Sequence, residues 1–151
     1  MNEIRLNINK IEDLDEILEV AEKVFRPNKE EKEKYHQKSI WLERAINGLL
    51  ISAQVDNKII GFAICYRKED ALHIWNVGVL EEYRKNGVWR KIYEEIVNFA
   101  NKNKFSKITL NTHKNQFPGM YNFAVKEGFA VERTEFDELS KDFKSMFVKM
   151  I

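Results

Sequence analysis

Cysteine is nearly missing from this chain of 151 residues. Cys65 stands alone, which excludes an internal disulfide and fits a reducing compartment. Proline occurs only as Pro27 and Pro118. Neither sign of charge dominates: 25 basic residues face 24 acidic ones, for a net charge of +1. That balance gives no electrostatic case for DNA, RNA or an anionic membrane as partner. No apolar run approaches the roughly 18–20 residues that span a bilayer. The opening MNEIRLNINK lacks the apolar core of a signal peptide, so the expected location is cytoplasmic. The three histidines and the one cysteine show no metal-ligand spacing, so no zinc site is expected.

What is present is a globular composition, 44% hydrophobic and 32% charged, without repeat, low-complexity tract or linker. Residues 1–151 are expected to form one domain. Ile4, Leu6 and Ile8 alternate with polar residues, which predicts a first strand. Asn9 with Glu12 resembles a helix N-cap, and Ile11 to Phe25 recur at helical spacing up to Pro27. Residues 28–47 begin almost wholly charged and become amphipathic at Tyr35, Leu42, Ala45 and Ile46. They predict one second helix, weakly held at first and stopped by Gly48. Residues 49–55 and 58–66 predict a hairpin around Asp56-Asn57, since both turn residues tolerate positive φ.

The stretch Ala71–Lys104 then runs strand, charged turn, helix. Gly87 stands at the helix entrance, where unpartnered N–H groups and the helix dipole favour an anion. Arg84, Lys85 and Arg90 bring positive charge to this turn, and Lys91 is a further candidate. KITLNTH (107–113) predicts a fifth strand, joined by a parallel crossover. Pro118 opens a short helix that Gly128 stops, and residues 129–136 and 144–151 predict a closing pair of strands. The apolar end of the last strand, Met146 to Ile151, is a candidate for pairing across a homodimer. The predicted order is β-α-α-β-β-β-α-β-α-β-β, an α/β fold with a mixed, mostly antiparallel sheet of about seven strands flanked by four helices.

This order, with VLEEYRKNGVW at the fourth strand and AVKEGF before the sixth, resembles the GNAT N-acetyltransferase superfamily over nearly the whole chain. Arg84 and Gly87 match the family's Arg/Gln-x-x-Gly-x-Gly/Ala loop, and Gly128-Phe129 matches its Gly-Phe pair. Trp89 departs from the glycine or alanine of that loop. An indole there either crowds the pyrophosphate or swings away and covers the helix start.

The resemblance implies acetyl-coenzyme A as co-substrate. Its pyrophosphate would be cradled by the backbone of Arg84, Lys85, Asn86, Gly87, Val88 and Trp89. Its arm would lie along the fourth strand, with Asn111 and Asn115 nearby. It also implies a bulge near Asn76–Val79, whose N–H at Val77 or Val79 would bind the thioester carbonyl.

A base is needed because an ammonium has no lone pair. His73 lies eleven residues before Arg84, where histone-acetylating relatives carry a glutamate base. His113 is a second candidate, and His36 is expected to be solvated. The family's thiolate-protonating tyrosine is replaced by Ala124, with Tyr121 one turn earlier as a substitute. Cys65 is expected to be a buried apolar residue of the third strand.

The expected activity is transfer of an acetyl group to a primary amine of a small molecule or peptide. The acceptor would lie between the first two helices and the loop after the sixth strand. Glu30, Glu31, Glu33, Asp137 and Glu138 hint that it is cationic. The alternative is a GNAT-fold coenzyme A-binding or interaction module that has lost catalysis, with Trp89 and Ala124 as its evidence.

Overall fold

The computed structural model describes residues 2–151. Seven strands form one sheet: β1 (Arg5–Ile8), β2 (Gly48–Val55), β3 (Lys58–Lys68), β4 (Ala71–Val79), β5 (Lys107–His113), β6 (Ala130–Asp137) and β7 (Asp142–Met150). Their spatial order is β1-β2-β3-β4-β5-β7-β6, with β4 and β5 parallel and all other neighbours antiparallel. The helices are α1 (Leu14–Phe25), α2 (Lys29–Tyr35), α3 (Lys38–Ile46), α4 (Val88–Lys102) and α5 (Pro118–Lys126).

The mixed seven-stranded sheet and the order of strands along the chain agree with expectation, and three local readings change. The second helix is two helices. Asn28 and Glu31 form a capping box that starts α2 firmly. The chain then turns at His36-Gln37, where the Trp41 indole donates to the carbonyl of Tyr35 at 2.8 Å. Asn9 does not cap α1: it adopts φ 56°, and its side chain accepts from the Leu50 N–H at 3.0 Å, tying β1 to β2. Finally, β7 lies between β5 and β6, so both of its edges are already paired. As far as Val148 it has no edge to offer a partner's strand; the edge strands of the sheet are β1 and β6.

The Asp56-Asn57 hairpin forms as expected, with φ 52° and 64°. The core contains Trp41, Phe62 and Phe147, together with β2, β3 and the inward faces of α1 and α4. Fully burying each such large side chain stabilises the fold by about 1.5–3 kcal/mol. Cys65 is fully buried in this core, and burial pushes its thiol far above the ordinary range. Among the described residues, no helix is long and apolar enough to cross a membrane.

Candidate active site

The site begins where β4 leaves β5. The two strands pair from Ala71 and Lys107 to Ile74 and Leu110, and no further. At that point Trp75 is an extra residue in β4, because Ile64 of β3 faces Asn76 while Cys65 faces Ile74. A bulge bends the strand that carries it, and β5 continues straight along β7 to His113. The bulge is therefore at Trp75 rather than at Gly78. Gly78 remains paired with Phe62, and its hydrogen is needed for space: a Cβ would come within 3.0 Å of both Phe62 and Val24.

Backbone groups of successive strand residues point to opposite edges. The Leu80 N–H donates to Ile60 on β3 at 2.8 Å. By alternation Gly78 also faces β3, whereas Val77 and Val79 face the open gap. The Val79 carbonyl fits this assignment, since it accepts from Arg84 Nε at 3.0 Å rather than from β3.

Past Val79 the chain turns into α4. Gly87 holds φ 79°, and no atom lies within 4 Å of the place a Cβ would take. The α4 N-terminus has no side-chain cap, so its first N–H groups are open to a ligand. Asn86 is spent inside the turn, donating to the carbonyls of Tyr83 and Arg84. Val88 is buried, which leaves only its backbone for a ligand. Two of the expected cations point elsewhere. Arg90 grips Glu127 at 3.0 and 2.9 Å, and Lys91 Nζ donates to the Ile4 carbonyl at 2.6 Å. Lys85 and Arg84 remain at the turn.

Trp89 turns away from the loop. Its ring lies on Phe123, 5.2 Å between centroids, and on Tyr93 at 5.8 Å, filling the seam between α4 and α5. Its indole N–H is buried without a partner among the described residues.

These elements enclose a cleft of about 550 Å³ that runs from Arg84 and Trp89 to the β6–β7 loop. His73 and His113 both line it, in different surroundings. His73 is 4% exposed, lies in the paired half of β4 and shares a 2.7 Å hydrogen bond between Nδ1 and Thr109 Oγ1. Burial, helped by Lys68, Arg44 and Lys144, pushes its pKa down to about 4. A group so hard to protonate is a poor acceptor for an ammonium proton, and that argues against the base role expected of it.

His113 ends β5 beyond the split. Its Nε2 lies 2.9 Å from Asp137 Oδ2, and its Nδ1 makes no hydrogen bond among the described residues. Burial would raise the Asp137 carboxyl, but hydrogen bonds from His113, Ser140 and the Leu139 N–H outweigh it and hold the pKa low. A carboxylate on Nε2–H fixes the tautomer that leaves a lone pair on Nδ1.

Other expected residues fall inside and outside the cleft. Asn111 lines it, as does Glu31. Asn115 does not: its N–H and side chain both bind Asp142, in the loop that leads to α5. Tyr121 packs its ring on Phe147 at 5.3 Å, away from the cleft, and Ala124 is core. His36 is half-buried between Phe25 and Trp41, not solvated. Glu30, Glu33 and Glu138 are exposed outside the lining.

Residues 12–129 match the family model for the acetyltransferase (GNAT) family. The chain belongs to that family. It is a GNAT acetyltransferase with acetyl-coenzyme A as co-substrate. No curated protein matches it. Among solved structures it is similar to the PaiA N-acetyltransferase of Thermoplasma acidophilum in complex with coenzyme A. There the identity is 21% and the TM-score 0.79, covering 96% of this chain and 98% of that one. It is also similar to the ribosomal-protein-S18-alanine N-acetyltransferase of Escherichia coli, at 12% identity and TM-score 0.82, covering 99% and 94%. A third is the IAA acetyltransferase of Bacillus cereus, at 15% identity and TM-score 0.78, covering 99% and 100%. At these identities the likeness is one of fold.

The GNAT co-substrate suits what this chain offers. Val77 and Val79 on the open edge of β4 line the cleft together with Arg84 and Trp89, and the uncapped α4 N-terminus at Gly87 lies between those last two in the chain.

Proposed function

We propose that this GNAT enzyme acetylates a primary amine, with His113 and Asp137 handling the amine's proton at the split between β4 and β5. The observation that carries this reading is the His113–Asp137 pair at the open end of the gap, 2.9 Å apart, with Nδ1 unengaged. When bound, acetyl-coenzyme A supplies an activated acyl group. The N–H groups of Val77 and Val79 donate to a carbonyl oxygen lying in the gap, where negative charge grows as the amine attacks. Gly87 and Val88 offer N–H groups to the diphosphate. Arg84, Lys85 and the turn's Asn86 hold that backbone in place, Asn111 offers an amide from β5, and Trp89 closes the seam beside the arm.

The amine arrives mostly as ammonium, since a free alkylamine has a pKa near ~10. Asp137 and Glu31 attract the cation, and His113 Nδ1 takes a proton so that the nitrogen lone pair is free to form the C–N bond. As the C–S bond breaks, the sulfur leaves as thiolate and takes up the second proton that the nitrogen sheds, so the products are the amide and the free thiol. His73 keeps the paired strands together and stays neutral. No role is assigned to Tyr121.

Thiol release from acetyl-coenzyme A over a panel of primary amines tests the reading. Amine-dependent release that collapses in His113→Ala is expected. Undiminished release in that variant refutes the assignment of the base.

A further inference from the structure

The acceptor half of the cleft is built of rings. Phe25, at the end of α1, meets Phe117, just before α5, edge to face at 5.7 Å, and both rings line the cleft. Phe25 is itself held by His36 at 5.7 Å, and His36 lies on Trp41 at 5.6 Å. Trp41 then contacts Trp75, the bulged residue of β4, at 5.4 Å. The α2–α3 corner that carries His36 is pinned by the bond from the Trp41 indole to Tyr35. This chain of rings runs from core to cleft, and Phe25, His36, Trp75 and Phe117 all line the cavity.

Two carboxylates, Glu31 and Asp137, border the same compartment, with Lys144 as its cation. Asp137 is kept ionised by its hydrogen bonds. Rings with nearby carboxylates suit a ligand that joins a flat apolar body to an ammonium, since ring faces attract both stacked rings and cations. An aliphatic polyamine could set an ammonium on a ring face but brings no flat body to stack on the rings.

We infer that the acceptor is a small arylalkylamine, held by Phe25, Trp75 and Phe117 with its ammonium toward Glu31 and Asp137. This rests on the reading of the protein as an amine acetyltransferase, and it makes a claim about binding that can be measured separately.

The test uses the full chain loaded with coenzyme A and four probes: phenethylamine, octylamine of equal carbon count, putrescine, and a short peptide with a free N-terminus. Binding is measured by calorimetry, and transfer by thiol release with acetyl-coenzyme A. Phenethylamine is expected to bind about tenfold more tightly than octylamine, the scale of one desolvated ring or cation–π contact. Phe117→Leu, which keeps an apolar side chain but removes the ring, is expected to shrink that ratio with its thermal stability near that of wild type. Octylamine, putrescine or the peptide binding as tightly as phenethylamine overturns the inference even if acetylation is brisk. If no probe is acetylated, the proposed reaction fails while the binding ratio still decides the inference.

Discussion

Below Ile74 the strands β4 and β5 are zipped together; above it they part and leave a gap. The two halves share strands, neighbours and residue types, and each contributes a histidine to the cleft. Their histidines differ because their surroundings do. His73, in the zipped half, is buried against Thr109 and resists protonation. His113, past the split, is held by a carboxylate, and its other ring nitrogen has no hydrogen-bond partner among the described residues. One bulged residue, Trp75, separates a structural environment from a chemical one.

The largest expected effect comes from the open half. His113→Ala should lower kcat/KM by about a hundred- to ten-thousandfold, the usual worth of a positioned base. Steady-state thiol release measures it.

His73→Gln should do something different, altering acid stability more than rate. In wild type the folded His73 titrates near 4 and the unfolded one near 6.5, so between those pH values the unfolded chain binds the extra proton. Its contribution is therefore present above pH 6.5 and is lost as pH falls toward 4, amounting to about 3 kcal/mol. Denaturant midpoints across that window should flatten in the variant.

Gly78→Val attacks the pairing of β4 with β3 above the bulge. The new side chain meets Phe62 and Val24 at once, and overpacking of this kind costs about 1–3 kcal/mol. Thermal unfolding would show it.

Gly87→Ala has the smallest expected effect on stability, about 1 kcal/mol for a left-handed residue, because nothing crowds its Cβ. Its larger mark should be weaker binding of acetyl-coenzyme A, read by calorimetry.

The sheet was legible in the sequence because the alternation of β1, the β-rich runs of β2 and β3 and the helical spacing of α1 are local signals. So was the glycine turn into α4, since Gly87 and the helix it opens are adjacent in the chain. Features set by tertiary contacts were not legible. The break between α2 and α3 depends on Trp41 reaching back to Tyr35. The bulge falls on Trp75, while Gly78, the residue that advertised it, is glycine for packing against α1. Tyr121 has the right helix but the wrong face, and Asn115 is taken by Asp142, 27 positions away. The ring-lined half of the cleft draws on α1, α2, β4 and the segment before α5, so no local window contains its pattern. In the sequence Asp137 reads only as part of a charge cluster, because its partner His113 is 24 positions distant.

The central claim is that the edge of β4 above Ile74 is free backbone waiting for acetyl-coenzyme A. Amide hydrogen exchange at Val77, Gly78, Val79 and Leu80 tests it residue by residue. Without the co-substrate, Gly78 and Leu80 should be protected by β3 while Val77 and Val79 exchange quickly. With it, protection should appear at Val77 and Val79. Exchange at those two amides that stays unchanged on saturation with acetyl-coenzyme A would contradict the account.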